Sequence, residues 1–473
     1  MRYKNIFTLL VILSLIILII PTFYATDNEN KNDETITNTI SNSIDNTIES
    51  IKKYIGLEKE DEDATDVHSY DELANFIENK TKEKTKKTYA INLQDGDYNI
   101  TKTITCGNTK YTSFKINGNG HTIDGNGKKQ FMNVYGDLKI KDLTIQNTKY
   151  QKNESGAICM VTNAKLEIEN CTFKNNHGNI KGGAITSRGN TTINNTVFIN
   201  NTCELTGGAI WSTGEHGGTL TLKNSTFKQN IANSKLDHER TSVVYMVSPG
   251  NNTVENNVFE NNTGRCLHSF MNTSTKIINN TFKNNNLTFN EVIRGGIIDN
   301  YESDITIENN VFINDNTNGE LRGGLLYHEI GYLKFNNNTI NDKHTQTGHI
   351  TNTTCSKGGL IFNRNATVEI KDNNFNNTVN ANLTWGGVIY NNAGNITLGN
   401  NKFTNTVNGE HIKGMAIYND VNAKTIVSND KFETKYNGSI DTEKQKDEYI
   451  YNSDVPNTEG NGKIGITKYE DVS

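Results

Sequence analysis

The chain has 473 residues, only 34% of them hydrophobic, and its mean hydropathy is −0.64. That excludes the large continuous core of an ordinary multidomain protein, so apolar side chains must be buried in a thin, repeated way. Asparagine supplies about one residue in six while proline occurs only 3 times, a balance unlike that of disordered tracts. The formal net charge of −6 is small and no long basic run occurs, which sets nucleic acid aside as a partner.

At the N-terminus Arg2 and Lys4 precede a predominantly apolar run from Ile6 to Ile20, the arrangement of an export signal. Residues 1–25 are therefore read as a signal peptide. A cut after Ala25 would place bulky Phe23 where a small residue is favoured, so an uncleaved signal anchor is the alternative and would be the chain's only contact with a membrane. Export makes the protein secreted or cell-surface and permits disulfides among Cys106, Cys159, Cys171, Cys203, Cys266 and Cys355. Their irregular spacing matches no zinc pattern. Mostly unpaired, packed cysteines with at most one bridge are expected, with no metal and no cofactor.

Residues 26–68 are polar. Ile36, Ile40, Ile44, Ile48, Ile51 and Ile55 recur at helical spacing, but the intervening Thr, Asn and Ser are poor helix formers, so a flexible stalk is expected. Over 69–88, Ser69 followed by Glu72 forms a capping-box start, and Leu73, Phe76 and Ile77 share one face. This predicts a short amphipathic helix covering the open end of whatever follows.

From 89 to 435, short alternating segments separated by Gly and Asn clusters repeat about every 28 residues. Aligning the repeats on a Phe column gives Ile145, Phe173, Phe198, Phe227, Phe259, Phe282, Phe312, Ile340, Phe375, Phe403 and Phe432. Five residues earlier the column is aliphatic or Phe, as at Ile168, Ile193 and Phe335; three residues earlier it is Asn or Asp, as at Asp142, Asn170 and Asn224. A second motif opens on a Gly pair and carries its own column, including Ile185, Ile210, Val244, Leu267, Ile298, Leu326 and Ile389.

A repeat of this size cannot bury its apolar face alone, whereas stacked copies can. If each repeat is one turn, equivalent strands pair in parallel at about 4.8 Å and every apolar column becomes an internal stack. The expectation is an all-β, right-handed, single-strand parallel β-helix of about a dozen coils with an N-terminal capping helix. Right-handedness follows from the bias of parallel crossovers. Asn amides should hydrogen-bond along their column. Residues 436–473 lose the pattern and are read as a distal cap and polar tail.

The motifs "GGAI" at 182–185 and 207–210, with "FKNN" at 173–176, "FINN" at 198–201, "FKQN" at 227–230 and "FENN" at 259–262, resemble the repeats of chlamydial polymorphic outer-membrane proteins. They resemble still more the Asn-rich adhesin-like surface proteins of methanogenic archaea. The opening "INLQDGDYNITKTITCGN" is similar to the first coils of pectin-lyase-like β-helices. The resemblance implies a β-helix of the same kind and a role at the cell surface.

That fold also hosts polysaccharide lyases and hydrolases, which need clustered carboxylates for acid–base work or calcium. No N-T-D, D-D, G-H-G or R-I-K string occurs, and acidic residues within the coils are scattered. The nearest polar cluster is His216, Asp237, His238, Glu239 and Arg240, read as a long loop with solvated charges. A non-enzymatic adhesin-like protein binding surface glycans or surface proteins is expected; a carbohydrate-active enzyme and a structural surface-layer element are the alternatives.

Two further expectations concern the surface. The residue after each aliphatic of the glycine motif reads Trp211, Tyr245, His268, Asp299, Tyr327, Phe362, Tyr390 and Tyr418. Strand alternation places Trp211, Tyr245, Tyr327, Phe362, Tyr390 and Tyr418 on the outer face as a candidate ligand-binding ladder. The alternative is that the rings only stabilise one another or turn inward at the Gly kink. Sequons abound; those in the Asn columns, such as Asn170 and Asn224, are expected to be buried, and glycans are expected at Asn286 or Asn382.

Overall fold

The computed structural model describes residues 63–149, 156–161, 163–214, 218–232, 241–247, 250–345, 355–440 and 449–453. Residues 1–25, expected to be an export signal, nearly all of the expected stalk, residues 441–448 and 454–473 of the expected distal cap and tail, and the group His216, Asp237, His238, Glu239 and Arg240 lie outside the described residues.

Each repeat contributes three strand positions, and each pairs in parallel with its equivalent in the next repeat. One set runs through Lys165–Glu169, Asn190–Asn194 and Leu220–Lys223. A second carries the Phe column, in which Phe173, Phe198, Phe227, Phe259, Phe282 and Phe312 stand in direct register. The third carries the glycine motif, with Ile185 opposite Ile210, then Val244, Leu267, Ile298 and Leu326. No named strands pair antiparallel among the described residues. The chain is an all-β parallel solenoid of about 12 turns.

The core is one side chain deep on each wall. The Phe column from Phe173 to Phe312 is wholly buried, its rings stacked at 4.7 to 5.1 Å with interplanar angles of 6° to 10°. Each buried ring contributes roughly 1.5–3 kcal/mol by leaving water, and each stacked pair about 0.5–1.5 kcal/mol more. Thin walls therefore suffice, because every turn is covered above and below by its own copy.

The corners hold the asparagines, in an arrangement that corrects one expectation. The residues three before each Phe, among them Asp142, Asn170, Asn224, Asn279 and Asn309, have φ near +50° to +57°. They turn the chain, a conformation Asn tolerates better than most side chains, and they sit at the surface: Asn170 is half-buried and Asn224 exposed. The continuous buried ladder is built one residue later. It begins at Asn257, after which Asn280, Asn310, Asn338, Asn373 and Asn401 each accept, through Oδ1, from both the main-chain N–H and the side-chain amide of the preceding member at 2.8 to 3.1 Å. A second buried ladder follows the Phe, through Asn176, Asn201, Asn230, Asn262 and Asn285.

Helix α1 spans Tyr70–Thr81. Ser69 Oγ accepts from the Glu72 N–H at 3.2 Å, and Glu72 Oε2 accepts from the His68 N–H at 2.8 Å, so the start is capped from both directions. Leu73, Ala74 and Ile77 are fully buried and belong to the same hydrophobic cluster as the coil interior. Parallel pairing begins ahead of the helix, where β1 (Thr65–Ser69) lies on β2 (Lys87–Asp97). It also continues beyond 435: Ile450–Asn452 pairs with Ile417–Asn419, in register with the earlier glycine-motif strands.

Candidate functional site

The aromatic column is real as a stack but not as an open surface. Ile361 joins the coil interior while Phe362 belongs to a separate cluster with Tyr327, Tyr390, Tyr418 and Tyr451, so the rings do lie on the opposite face from the aliphatics. Successive centroids from Tyr327 to Tyr451 are 5.1 Å apart. Yet Trp211, Tyr245, Tyr327, Phe362, Tyr390 and Tyr418 are between 0% and 8% exposed. The reason is the bend. Gly358 has φ +64°, and a Cβ there would sit 2.0 Å from the Ile361 carbonyl oxygen, so the chain folds tightly back and its preceding residues lie across the rings. Lys357 Nζ is 5.3 Å from the Tyr390 ring centre, Trp385 stacks on Tyr418 at 5.3 Å, and Lys413 Nζ is 5.4 Å from the Tyr451 ring. The ladder as a flat, exposed platform is thereby corrected.

The column is interrupted at Asp299. After Tyr245 and His268, whose rings stack at 4.6 Å and 5°, the next member is Asp299, and the stack resumes only at Tyr327. A short side chain where a ring would stand leaves a cleft of about 200 Å³ lined by Tyr245, His268, Phe270, Arg294, Asp299, Tyr301 and Tyr327. His268 Nδ1 lies 3.1 Å from Asp299 Oδ2, both groups almost fully buried. Phe270 and Tyr301, from the next outward column, tilt together at 5.4 Å and 35° and remain half-buried. Arg294 comes from the segment before the Gly295 bend and holds its guanidinium carbon 5.7 Å from the Tyr327 ring centre.

Beside the cleft, the Tyr327 hydroxyl donates to Glu329 Oε2, and Arg364 pairs with Glu329 at 3.2 Å. Burial, then the bond to Glu329, pushes the Tyr327 phenol well above its ordinary range, so it stays neutral and serves as a donor. Tyr301 is also raised, chiefly by the charge of Glu302. The cleft thus offers ring faces, a fixed cation and a histidine–carboxylate pair. These suit a ligand that is polar at its edge, flat on its face and able to meet an arginine.

Among the described residues no group of three His, Cys, Asp or Glu is placed to hold a metal ion. All six cysteines are buried and none is in a disulfide. Burial raises the thiols of Cys171 and Cys355 to about 12 and that of Cys203 to about 11, which leaves them inert as nucleophiles.

The sequence put His268 and Asp299 in the right column but outside the candidate ladder. Phe270, Arg294 and Tyr301 were not singled out at all. The available signal was two consecutive titratable members in an otherwise aromatic column.

No protein-family profile and no curated protein matches the chain. Solved structures similar to it include two of known kind. One is a mannuronic acid specific polysaccharide family 6 lyase from human gut microbiota, at 14% identity over 80% of this chain and 91% of that one, with a TM-score of 0.40. The other is PfbA, a surface adhesin of Streptococcus pneumoniae, at 10% identity over 77% and 91%, with a TM-score of 0.29.

Proposed function

We propose that the chain is an exported, adhesin-like solenoid that binds carbohydrate at the cell surface through the cleft at Asp299. One observation carries this reading: the aromatic column, stacked without a gap from Tyr327 to Tyr451, is interrupted one turn before Tyr327 at Asp299, where Arg294, His268, Asp299 and the Phe270–Tyr301 rim converge. A sugar ring presents an apolar face for Tyr301 and hydroxyls for the polar wall. The test is retention on a glycan panel of the protein and of Tyr301→Ala. The variant removes a half-buried rim ring without touching the core, so it should keep the unfolding temperature of the parent and lose at least tenfold in retention. Equal retention by the two proteins would sink the reading.

A catalytic reading is favoured by one specific feature, the His268–Asp299 contact at 3.1 Å, since a carboxylate that orients an imidazole is a common acid–base pairing. Incubating every retained glycan with the protein and assaying for new reducing or unsaturated ends decides between the two. Turnover that disappears in His268→Gln while retention persists would make the cleft an active site; intact glycan throughout keeps it a binding site.

A further inference from the structure

We infer that the sugars bound are ones that carry a methyl group, as an acetamido substituent or as the end carbon of a deoxyhexose, and that this methyl seats on an apolar corner formed by Met271, Ile330 and Tyr332 beside the cleft. This rests on the carbohydrate reading above and names its ligand class.

The corner is reached by following the cleft strands outward. Side chains alternate along the glycine-motif strands: His268 and Asp299 stand in the cleft column, Phe270 and Tyr301 form the next column out, and the chain then turns. Phe270, Tyr301, Glu329, Arg364 and Asn392 are in direct register. The residues that follow them, Met271, Glu302, Ile330, Asn365 and Ala393, therefore occupy one corner on five successive turns. Nine large apolar side chains are exposed among the described residues, and three belong here: Met271 at 51%, Ile330 at 41% and Tyr332, just past the corner, at 41%. With the half-buried rings of Phe270 and Tyr301 they extend the rim of the cleft across three turns, about 10 Å at the usual strand spacing.

The backbone makes these residue types unexpected. All five corner residues have φ between +52° and +59°. That left-handed conformation suits Asn, as at Asn365, and is least tolerated by a β-branched side chain. An isoleucine at 330 is strained, and its exposure forgoes the burial that would offset the strain. Met271 is more exposed still. A strained residue presenting an apolar side chain to water beside a cleft is the arrangement expected where that side chain meets a ligand. Glu302, exposed on the turn between them, lies by the Tyr301 phenol and adds a carboxylate acceptor to the corner.

An acetamido group meets both features, with a methyl for Met271 and Ile330 and an N–H for Glu302. A deoxyhexose offers the methyl alone. An unsubstituted hexose turns a hydroxyl toward Met271 and Ile330, which cannot bond it.

The experiment is equilibrium binding of the full chain to two matched pairs of oligosaccharides, with neutral phosphatidylcholine vesicles as a further arm. Chitin and cellulose oligosaccharides of one length differ only in the acetamido group; fucose-terminated and L-galactose-terminated oligosaccharides differ only in the methyl. The methyl-bearing member of at least one pair should bind roughly tenfold more tightly, and which pair shows the preference identifies the source of the methyl. Met271→Asn with Ile330→Asn places at both positions the residue this backbone favours. The double variant should unfold at a temperature equal to or above that of the parent, bind the unsubstituted member as the parent does, and lose the preference. Equal binding of both members of each pair by the parent, or a preference that survives in the double variant, would overturn the methyl inference and leave the carbohydrate reading standing. Binding of no glycan at all would remove both. Vesicle binding by the parent that is lost in the double variant would overturn the inference by reassigning the corner to a lipid surface.

Discussion

At the scale of single residues, the buried ladders show what one atom can do. Asp315 continues the line Asn176, Asn201, Asn230, Asn262, Asn285, accepting from the Asn285 main-chain N–H at 2.7 Å and side-chain amide at 2.9 Å. Its own N–H donates to Asp342 Oδ1 at 3.0 Å. An Asn in this place would donate onward through Nδ2; a carboxylate has nothing to donate, and Oδ2 of both acids is left without a partner among the described residues. Burial pushes the Asp315 carboxyl up to about 7, and burial together with the Asp315 charge pushes Asp342 well above its ordinary value. The groups facing them are the buried Cys266 thiol and the Asn285 amide, with His344 two residues along the Asp342 strand, held neutral by burial. The folded state thus holds these protons more tightly than the unfolded chain does. Their stabilising contribution is complete below about pH 4 and is lost as pH rises through about 7. Asp315→Asn restores the amide donor and removes that loss. Denaturant unfolding should find the variant more stable than the parent by about 2–4 kcal/mol at pH 8, with the gap narrowing toward pH 4. A constant difference across that range would mean that the acids are not protonated in the fold. At the Phe column the expectation is simpler: Phe259→Ala should cost about 3–5 kcal/mol in the same assay through the cavity it leaves.

At the scale of elements, the corner between two strands is a pair of asparagines with different duties. Asn309, at φ +57°, turns the chain, while Asn310, wholly buried, joins the ladder. Replacing Asn309 by Ala costs only the left-handed preference, about 1 kcal/mol. Replacing Asn310 by Ala strips the acceptor from both the Asn280 N–H and the Asn280 amide, and buried donors left unmet cost about 1–3 kcal/mol each. Thermal unfolding of the two variants should rank them clearly, Asn310→Ala being the worse; the reverse order would contradict the division of labour. This distinction was not legible in the sequence. Periodicity picked out the Asn three before each Phe because it hardly varies, and a fixed residue type reads equally as turn or as ladder. The Phe and aliphatic columns were legible because one physical demand, burial at every turn, acts on them, and helix α1 was legible from Ser69 and Glu72 because capping is local.

At the scale of the molecule, function arises from side chains that only coiling brings together. Tyr245, His268, Asp299 and Tyr327 are successive members of one column, and that much could be read by aligning repeats. Exposure could not: strand alternation gives the face a ring occupies, but the segment that folds over it at Gly358 belongs to tertiary structure. Arg294 and Phe270 enter the cleft from other columns, for which no periodic signal prepared the reader. If the missing ring at Asp299 makes a binding site, supplying that ring should abolish it. Asp299→Tyr would complete the stack between His268 and Tyr327 and fill the cleft. The variant should unfold at a temperature equal to or above that of the parent and no longer retain carbohydrate. Undiminished retention by the folded, ring-filled variant would contradict it.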